Sequence, residues 1–195
     1  MIRRAAAVVV VLGVLTPIAS AQIIPTFRKD SATDGRGALD IVRVAMSRGE
    51  DGRSLRGEVT MEKRWTTAAL RSATGPSGSI CITLYTAREP GADPADWLVC
   101  ATPPKEGEEL RGRVLRDRAN GLPRQVANAT VTRPTARTVY FRFAQSAINR
   151  PTSVRFAAEA VTRAPRCPQP LGCRDTAPDA PTTGKLTLRS TAPSG

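Results

Sequence analysis

Four cysteines are the residues of this chain whose type and number most clearly promise chemistry: Cys81, Cys100, Cys167 and Cys173. An even count in a chain that begins like an exported one makes disulfides the default and metal ligation the minority reading. The chain has no histidine, which removes Ser-His-Asp and Cys-His catalysis, histidine zinc sites and any imidazole pH switch. Carboxylates are then almost the only route to catalysis, since a glycosidase needs just two of them across a cleft. Glu62, Glu108, Glu109 and Glu159 are available, but nothing in their spacing predicts convergence, and they read as solvated charges. Phosphate-binding patterns fail as well. Asp40 stands where Gly35-Arg36-Gly37 would need its third glycine, and Gly184-Lys185 lacks the Ser or Thr that follows the lysine of a phosphate loop. No serine stands three residues before any of the four lysines, so a Ser-x-x-Lys acyl-transfer site is absent. The chain is expected not to be an enzyme.

Binding chemistry is better represented. Asp30, Asp34 and Asp40 lie near one end of the chain and Asp175 and Asp179 near the other; if the termini meet, their oxygens can hold Ca²⁺, the one cofactor the sequence admits. The same residue type also suits turns and strand caps. Lys and Arg number 29 against 17 Asp and Glu, a net charge of +12, and all but four of the cations are arginine. Arg43, Arg56, Arg111, Arg113, Arg142 and Arg155 fall at outward positions of their strands. A basic sheet face of this kind attracts an anionic polymer or an acidic glycan through contacts that salt screens. Arg43, Arg56 and Arg142, with Trp65 and Tyr85 as rings for stacking on sugars, are the candidate ligand residues. Aromatics make up only 4 % of the chain and no basic helix is evident, so specific nucleic-acid recognition is not expected.

The elements that must position these residues are short and alternating. Candidate strands run over residues 40–46, 54–61, 78–86, 96–101, 110–116, 125–132, 138–143 and 153–161, separated by Gly, Pro, Asp and Asn clusters. In the first of them Val42, Val44 and Met46 share a face opposite Arg43. The first two form a hairpin around Asp51-Gly52. One helical turn is expected near 65–72, opened by Thr66 or Thr67. About eight strands and almost no helix predict an all-β fold, a two-layer antiparallel β-sandwich.

Register selects among the three ways of pairing four cysteines. A hairpin of 78–86 with 96–101 around Pro90-Gly91 that sets Cys81 opposite Cys100 also sets Ile80 opposite Ala101, Ile82 opposite Val99 and Leu84 opposite Trp97. One face is then continuously apolar, with Trp97 in the core, and the cysteines meet on the other beside Thr83 and Tyr85. Cys167 and Cys173 enclose the compact Pro-Gln-Pro-Leu-Gly loop and pair with each other.

Arg3 and Arg4 precede an apolar run from Ala5, and Ala19-Ser20-Ala21 supplies small residues at a cut before Gln22. This is the order of a secretory signal peptide, residues 1–21. Even carried to Ile18 the run is about 14 residues, short of the roughly 20 a spanning helix needs. The expectation is a secreted protein with no integral membrane segment after cleavage: an N-terminal segment at 22–37, the sandwich at 38–173 and a Thr/Pro-rich tail at 174–195, mostly surface-lying or disordered, with room for a short strand from Lys185 to Arg189.

The blocks Ala144-Gln145-Ser146-Ala147-Ile148-Asn149-Arg150-Pro151, Ser153-Val154-Arg155-Phe156-Ala157-Ala158, Cys173-Arg174-Asp175-Thr176-Ala177-Pro178-Asp179 and Asp34-Gly35-Arg36-Gly37-Ala38-Leu39-Asp40-Ile41 resemble secreted bacterial β-sandwich proteins. These are similar to DOMON domains and to carbohydrate-binding modules of the ninth family. The resemblance implies a non-catalytic sandwich, in some relatives a binder of sugar or haem. This chain departs from that pattern in having no histidine to ligate haem, although Met46 and Met61 are present, and no paired tryptophan clamp for sugars.

Overall fold

A computed structural model describes residues 25–30, 39–72, 75–89, 94–104, 106–107, 109–162, 167, 173–179 and 182–188. The signal-peptide segment, Asp34, Glu108 and the Pro90-Gly91 turn lie outside them. The described chain forms eleven strands: β1 (Thr26–Lys29), β2 (Ile41–Arg48), β3 (Ser54–Met61), β4 (Ser79–Tyr85), β5 (Trp97–Thr102), β6 (Arg111–Arg116), β7 (Arg124–Thr132), β8 (Thr138–Ala144), β9 (Ser153–Thr162), β10 (Cys173–Ala177) and β11 (Gly184–Thr187). Every pairing is antiparallel, in the order β1-β2-β3-β8-β7-β6-β5-β4-β9-β10, with β11 also on β9. All eight expected segments are strands. The additional three come from the N-terminal segment and the tail, where the sequence pattern leaves room only for the last, near Lys185, because short polar strands that pair at sheet edges carry little alternation of their own.

The long strand β7 bends this sheet. Its first part, to Ala129, pairs with β6 across a bulge at Val114/Leu115, and Thr130 to Thr132 pair with β8. Inward residues of the two halves then face each other. Val44 and Met46 from β2, Leu55 and Val59 from β3 and Phe141 from β8 pack in one core with Ile80, Ile82 and Leu84 from β4 and Phe156 from β9. Burying each such side chain stabilises by roughly 1.5–3 kcal/mol. At Gly57 a Cβ would stand 2.2 Å from Ile82 Cδ1, so the missing side chain is what lets β4 approach β3. Met46 and Met61, the residues a haem reading would need, are fully buried in this core.

The bend brings β10 and β11 beside β2 and β1, and the sheet nearly closes into a barrel. No ladder spans that gap among the described strands; side chains do. The buried Asp175 carboxylate accepts the Ile41 N–H at 2.6 Å, and Arg28 Nε donates to the Thr183 carbonyl at 3.3 Å. A bulge between Ile41 and Arg43 corrects the expected facing of this strand. The extra residue is Val42, which is half-buried, and Ile41 takes the core position instead.

The β4–β5 register is the expected one, with Ile80 opposite Ala101, Ile82 opposite Val99, Leu84 opposite Trp97 and Cys81 opposite Cys100. Both disulfides form as expected, Cys81–Cys100 and Cys167–Cys173. In the chain-entropy picture the first, joining residues 19 apart, contributes about 3 kcal/mol. Asp96 ties off the other end of this hairpin: one carboxylate oxygen accepts the backbone N–H groups of Thr86, Ala87 and Arg88 at 2.7–2.9 Å. The helical turn is only a 3₁₀ turn, Thr67–Leu70, and Thr66 precedes it with no side-chain cap. Among the described residues no helix is long and apolar enough to cross a membrane.

Two expectations follow. Asp175→Ala leaves the Ile41 N–H without its acceptor and should cost about 2 kcal/mol, read as a lower urea midpoint, with Asp175→Asn losing less. Burial alone raises the Asp96 pKa, but the three N–H donors and the Arg116 charge outweigh it and hold the carboxyl below its usual 3.8. Its contribution is therefore complete above that value and is lost as pH falls beneath it. Asp96→Asn should weaken the protein at pH 7 and flatten the acid limb of a stability profile taken between pH 5 and 2.

Candidate functional site

Strand alternation puts one residue in two of β1, β2, β3, β8 and β7 on the outside of that half of the sheet, and the registers place these residues in rows. One row reads Phe27, Ala45, Glu58, Tyr140, Thr132; the next reads Ser47, Arg56, Arg142, Thr130. Ala45 and Ser47 are short, so β2 forms the floor of a trough of about 480 Å³, with Arg56, Glu58, Tyr140 and Arg142 along its side. Phe27 and Tyr140 are 47 % and 44 % exposed, which leaves ring surface open to solvent on a face otherwise made of polar groups.

Arg56 and Arg142 stand directly opposite each other on β3 and β8, an arrangement that is destabilising unless compensated. The β2–β3 turn compensates it. Glu50 pairs with Arg56 at 3.1 Å and Asp51 with Arg142 at 2.8 Å, while Arg142 Nε also reaches the Ser54 hydroxyl at 3.4 Å. The third arginine, Arg43, pairs with Glu58 at 2.5 Å and lies over the Phe27 ring at 5.1 Å. The Thr60 hydroxyl donates to the same Glu58 oxygen at 3.2 Å. Every arginine of the trough thus has a carboxylate partner, and the face is dense in donors and acceptors while carrying little net charge. Asp51 is the most strongly held of these acids. The Ser54 N–H, the Arg142 guanidinium, the Ser54 hydroxyl and the Arg53 N–H, in that order, pull its carboxyl well below the usual range.

Of the sequence candidates, then, Arg43, Arg56 and Arg142 come together. The aromatic candidates do not join them, which corrects the expectation of two free stacking rings. Trp65 is 5 % exposed in the core, with the Arg133 guanidinium over its ring at 4.0 Å and donating to its carbonyl at 2.6 Å. Tyr85, 9 % exposed, sits on the other half of the sheet in a separate depression of about 470 Å³ beside Cys81, Thr83, Leu98 and Pro178. Trp97 is in the core as expected. The residues missed were Phe27, on a strand not foreseen, and Tyr140, which the alternation of Thr138–Ala144 placed outward beside Arg142.

The aspartates divide. Asp175 serves the seam, Asp40 and Asp30 flank it through backbone bonds to Glu62 and Val42, and Asp179 is exposed and accepts the Thr182 N–H at its carbonyl. Among the described residues no group of three or more Asp, Glu or Cys is placed to hold a metal ion. The glutamates considered for catalysis lie apart: Glu62 pairs with Arg137 at 3.8 Å, Glu159 accepts from Arg174 Nε at 2.8 Å, and Glu109 is exposed. Arg111, Arg113 and Arg155 are exposed on β6 and β9, away from the trough. Compared with known proteins, the chain matches no family model, no curated protein and no solved structure.

Because Asp51 is held ionised, its contact with Arg142 persists at mildly acid pH. A carboxyl-carbon NMR titration should place the Asp51 midpoint below 3.8, and Arg142→Ala should move it upward.

Proposed function

We propose that this protein is an exported, non-catalytic two-layer β-sandwich, of the kind that the resemblance to DOMON domains and ninth-family carbohydrate-binding modules implies, and that it binds a glycan along the trough. The observation that carries this reading is the pair of open rings, Phe27 and Tyr140, at either side of a floor of small residues walled by arginine–carboxylate pairs. Pyranose rings present apolar C–H faces to aromatic rings and a fringe of hydroxyls to planar, two-pronged groups. Guanidinium and carboxylate side chains already locked to each other meet those hydroxyls without a large loss of conformational freedom. Paired charges also favour an uncharged polyol over a polyanion at this face, since a polyanion would have to displace Glu50, Asp51 and Glu58 from their arginines.

Turnover is disfavoured by the same pairs. A glycosidase needs one carboxyl group kept protonated by its surroundings, and Asp51 is driven the opposite way while Glu50 and Glu58 are occupied by Arg56 and Arg43. Export is supported by the leader-like N-terminus and by two disulfides, which persist in oxidising compartments.

Titration calorimetry of the purified protein against a panel of neutral cell-wall and plant oligosaccharides tests the reading. At least one should bind, and Tyr140→Ala should weaken it about tenfold, the size of one aromatic contact. A ligand whose affinity is unchanged in both Tyr140→Ala and Phe27→Ala would remove the trough as its site.

A further inference from the structure

Where the β2–β3 turn meets the segment after β8, a second depression of about 720 Å³ opens at the end of the molecule. It is lined by Arg48, Arg53, Gln145, Ser146, Arg150 and Thr152, and among the described residues no carboxylate lines it. The acids of the adjoining turn are committed elsewhere: Asp51 to Ser54, the Arg53 N–H and Arg142, and Glu50 to Arg56. Among the described residues neither Arg53 nor Arg150 forms an ion pair. Arg53 and Arg150 therefore share one hollow with the turn-bound Arg48, whereas the arginines of the trough are each paired with a carboxylate.

The framework around the three is fixed. Arg48 donates from Nε and a terminal nitrogen to the Gly52 carbonyl at 2.9 and 2.6 Å, which clamps its guanidinium across the turn. The Gln145 N–H donates to the Arg53 carbonyl at 2.9 Å and joins that turn to the 3₁₀ turn Gln145–Ile148. Asn149 and Arg150 then follow with φ of 64° and 48°. Two successive non-glycine residues in the left-handed region are unusual and persist only when their surroundings hold them there. Here the Asn149 N–H donates to the Ser146 carbonyl and the Arg150 N–H to that of Gln145. The reversal they make returns the chain toward β9 and leaves Arg150 on the wall of the hollow.

We propose that this hollow is an oxyanion site for the phosphate or sulfate ester group of an extracellular polymer. Guanidinium groups meet such oxyanions with two parallel N–H donors each, and a dianion offsets the charge of Arg53 and Arg150. Ser146 and Thr152 supply hydroxyls for the remaining oxygens. Arg53 also lines a shallower depression with Ser54, Thr130 and Arg142, and Arg142 in turn lines the trough, so one ligand can span both. The oxyanion site stands on its own residues and does not require that the trough bind sugar.

Titration calorimetry of the full chain at low and moderate salt, with inorganic phosphate, inorganic sulfate, a hexose phosphate, a hexose sulfate and the neutral hexose, tests the proposal. One of the two esters should bind, the neutral hexose should not match it, and the ester gaining more over its inorganic counterpart names the source. The double variant Arg53→Ala, Arg150→Ala should lose tenfold or more at an unchanged melting temperature, Arg150→Lys should recover part of the loss, and Arg111→Ala, Arg113→Ala should lose less than twofold. Tyr140→Ala should leave ester affinity unchanged, which separates this site from the trough. Equal losses in the two double variants would reduce the effect to diffuse charge and overturn the site, as would ester binding no tighter than that of the neutral hexose or an affinity that survives the loss of Arg53 and Arg150.

Discussion

The buried carboxylate of Asp175 on the Ile41 N–H is the contact on which the arrangement of this protein turns. An eleven-stranded sheet that bends back on itself has to do something with its two edges, because exposed rows of N–H and C=O groups recruit other chains. Here the edges approach without completing a ladder among the described strands, and one buried carboxyl side chain bridges them at Ile41, beyond the residues of β2 that pair with β1. The bulge at the same point gives Ile41 to the core and leaves the alternation that holds Arg43 outward intact. Arg43 then meets both Glu58 and the Phe27 ring. The contact that bridges the sheet edges thereby lies two residues from the arginine at one side of the trough.

That dependence explains why Asp175 is poor material for a metal site. A ligand for Ca²⁺ shares its oxygens with the ion, whereas this carboxylate is buried and already caps a backbone donor. Replacing the N–H by an ion would open the seam. Asp96 illustrates the same division of labour at the far hairpin, where three backbone donors converge on one oxygen. Carboxylates in this protein are spent mainly on loose backbone ends and on arginines.

Strand alternation made most of the sheet legible in the sequence. The β4–β5 register follows from requiring Ile80, Ile82, Leu84, Val99 and Trp97 to face one way, and the Cys81–Cys100 bridge follows from the register. The outward placement of Arg43, Arg56 and Arg142 has the same origin. What alternation cannot show is which outward residues neighbouring segments later cover. Tyr85 is outward in its strand yet covered, with Pro178 beside it, and Trp65 lies in a connector that packs into the core under Arg133. Strands β1 and β10 were hidden, and β11 was legible only as a possible short strand, because four or five mixed residues take their conformation from the strand they pair with, not from a pattern of their own.

The positive charge acquires its meaning from the partners it has. Arg56 and Arg142 face each other across β3 and β8 and would repel, but the turn joining β2 to β3 places Glu50 and Asp51 where each can reach one of them. Asp51 also accepts the Arg53 N–H, so the residue that neutralises the trough shapes the turn from which Arg53 reaches the neighbouring hollow. Five residues, Glu50 to Ser54, therefore sort identical guanidinium groups into a neutral, hydrogen-bonding face on one side and, on the other, a hollow where Arg53 and Arg150 form no ion pair among the described residues. Net charge alone, being a sum, cannot express that difference. The two faces should respond differently to salt, because screening weakens attraction to Arg53 and Arg150 and leaves contacts to already paired side chains nearly untouched.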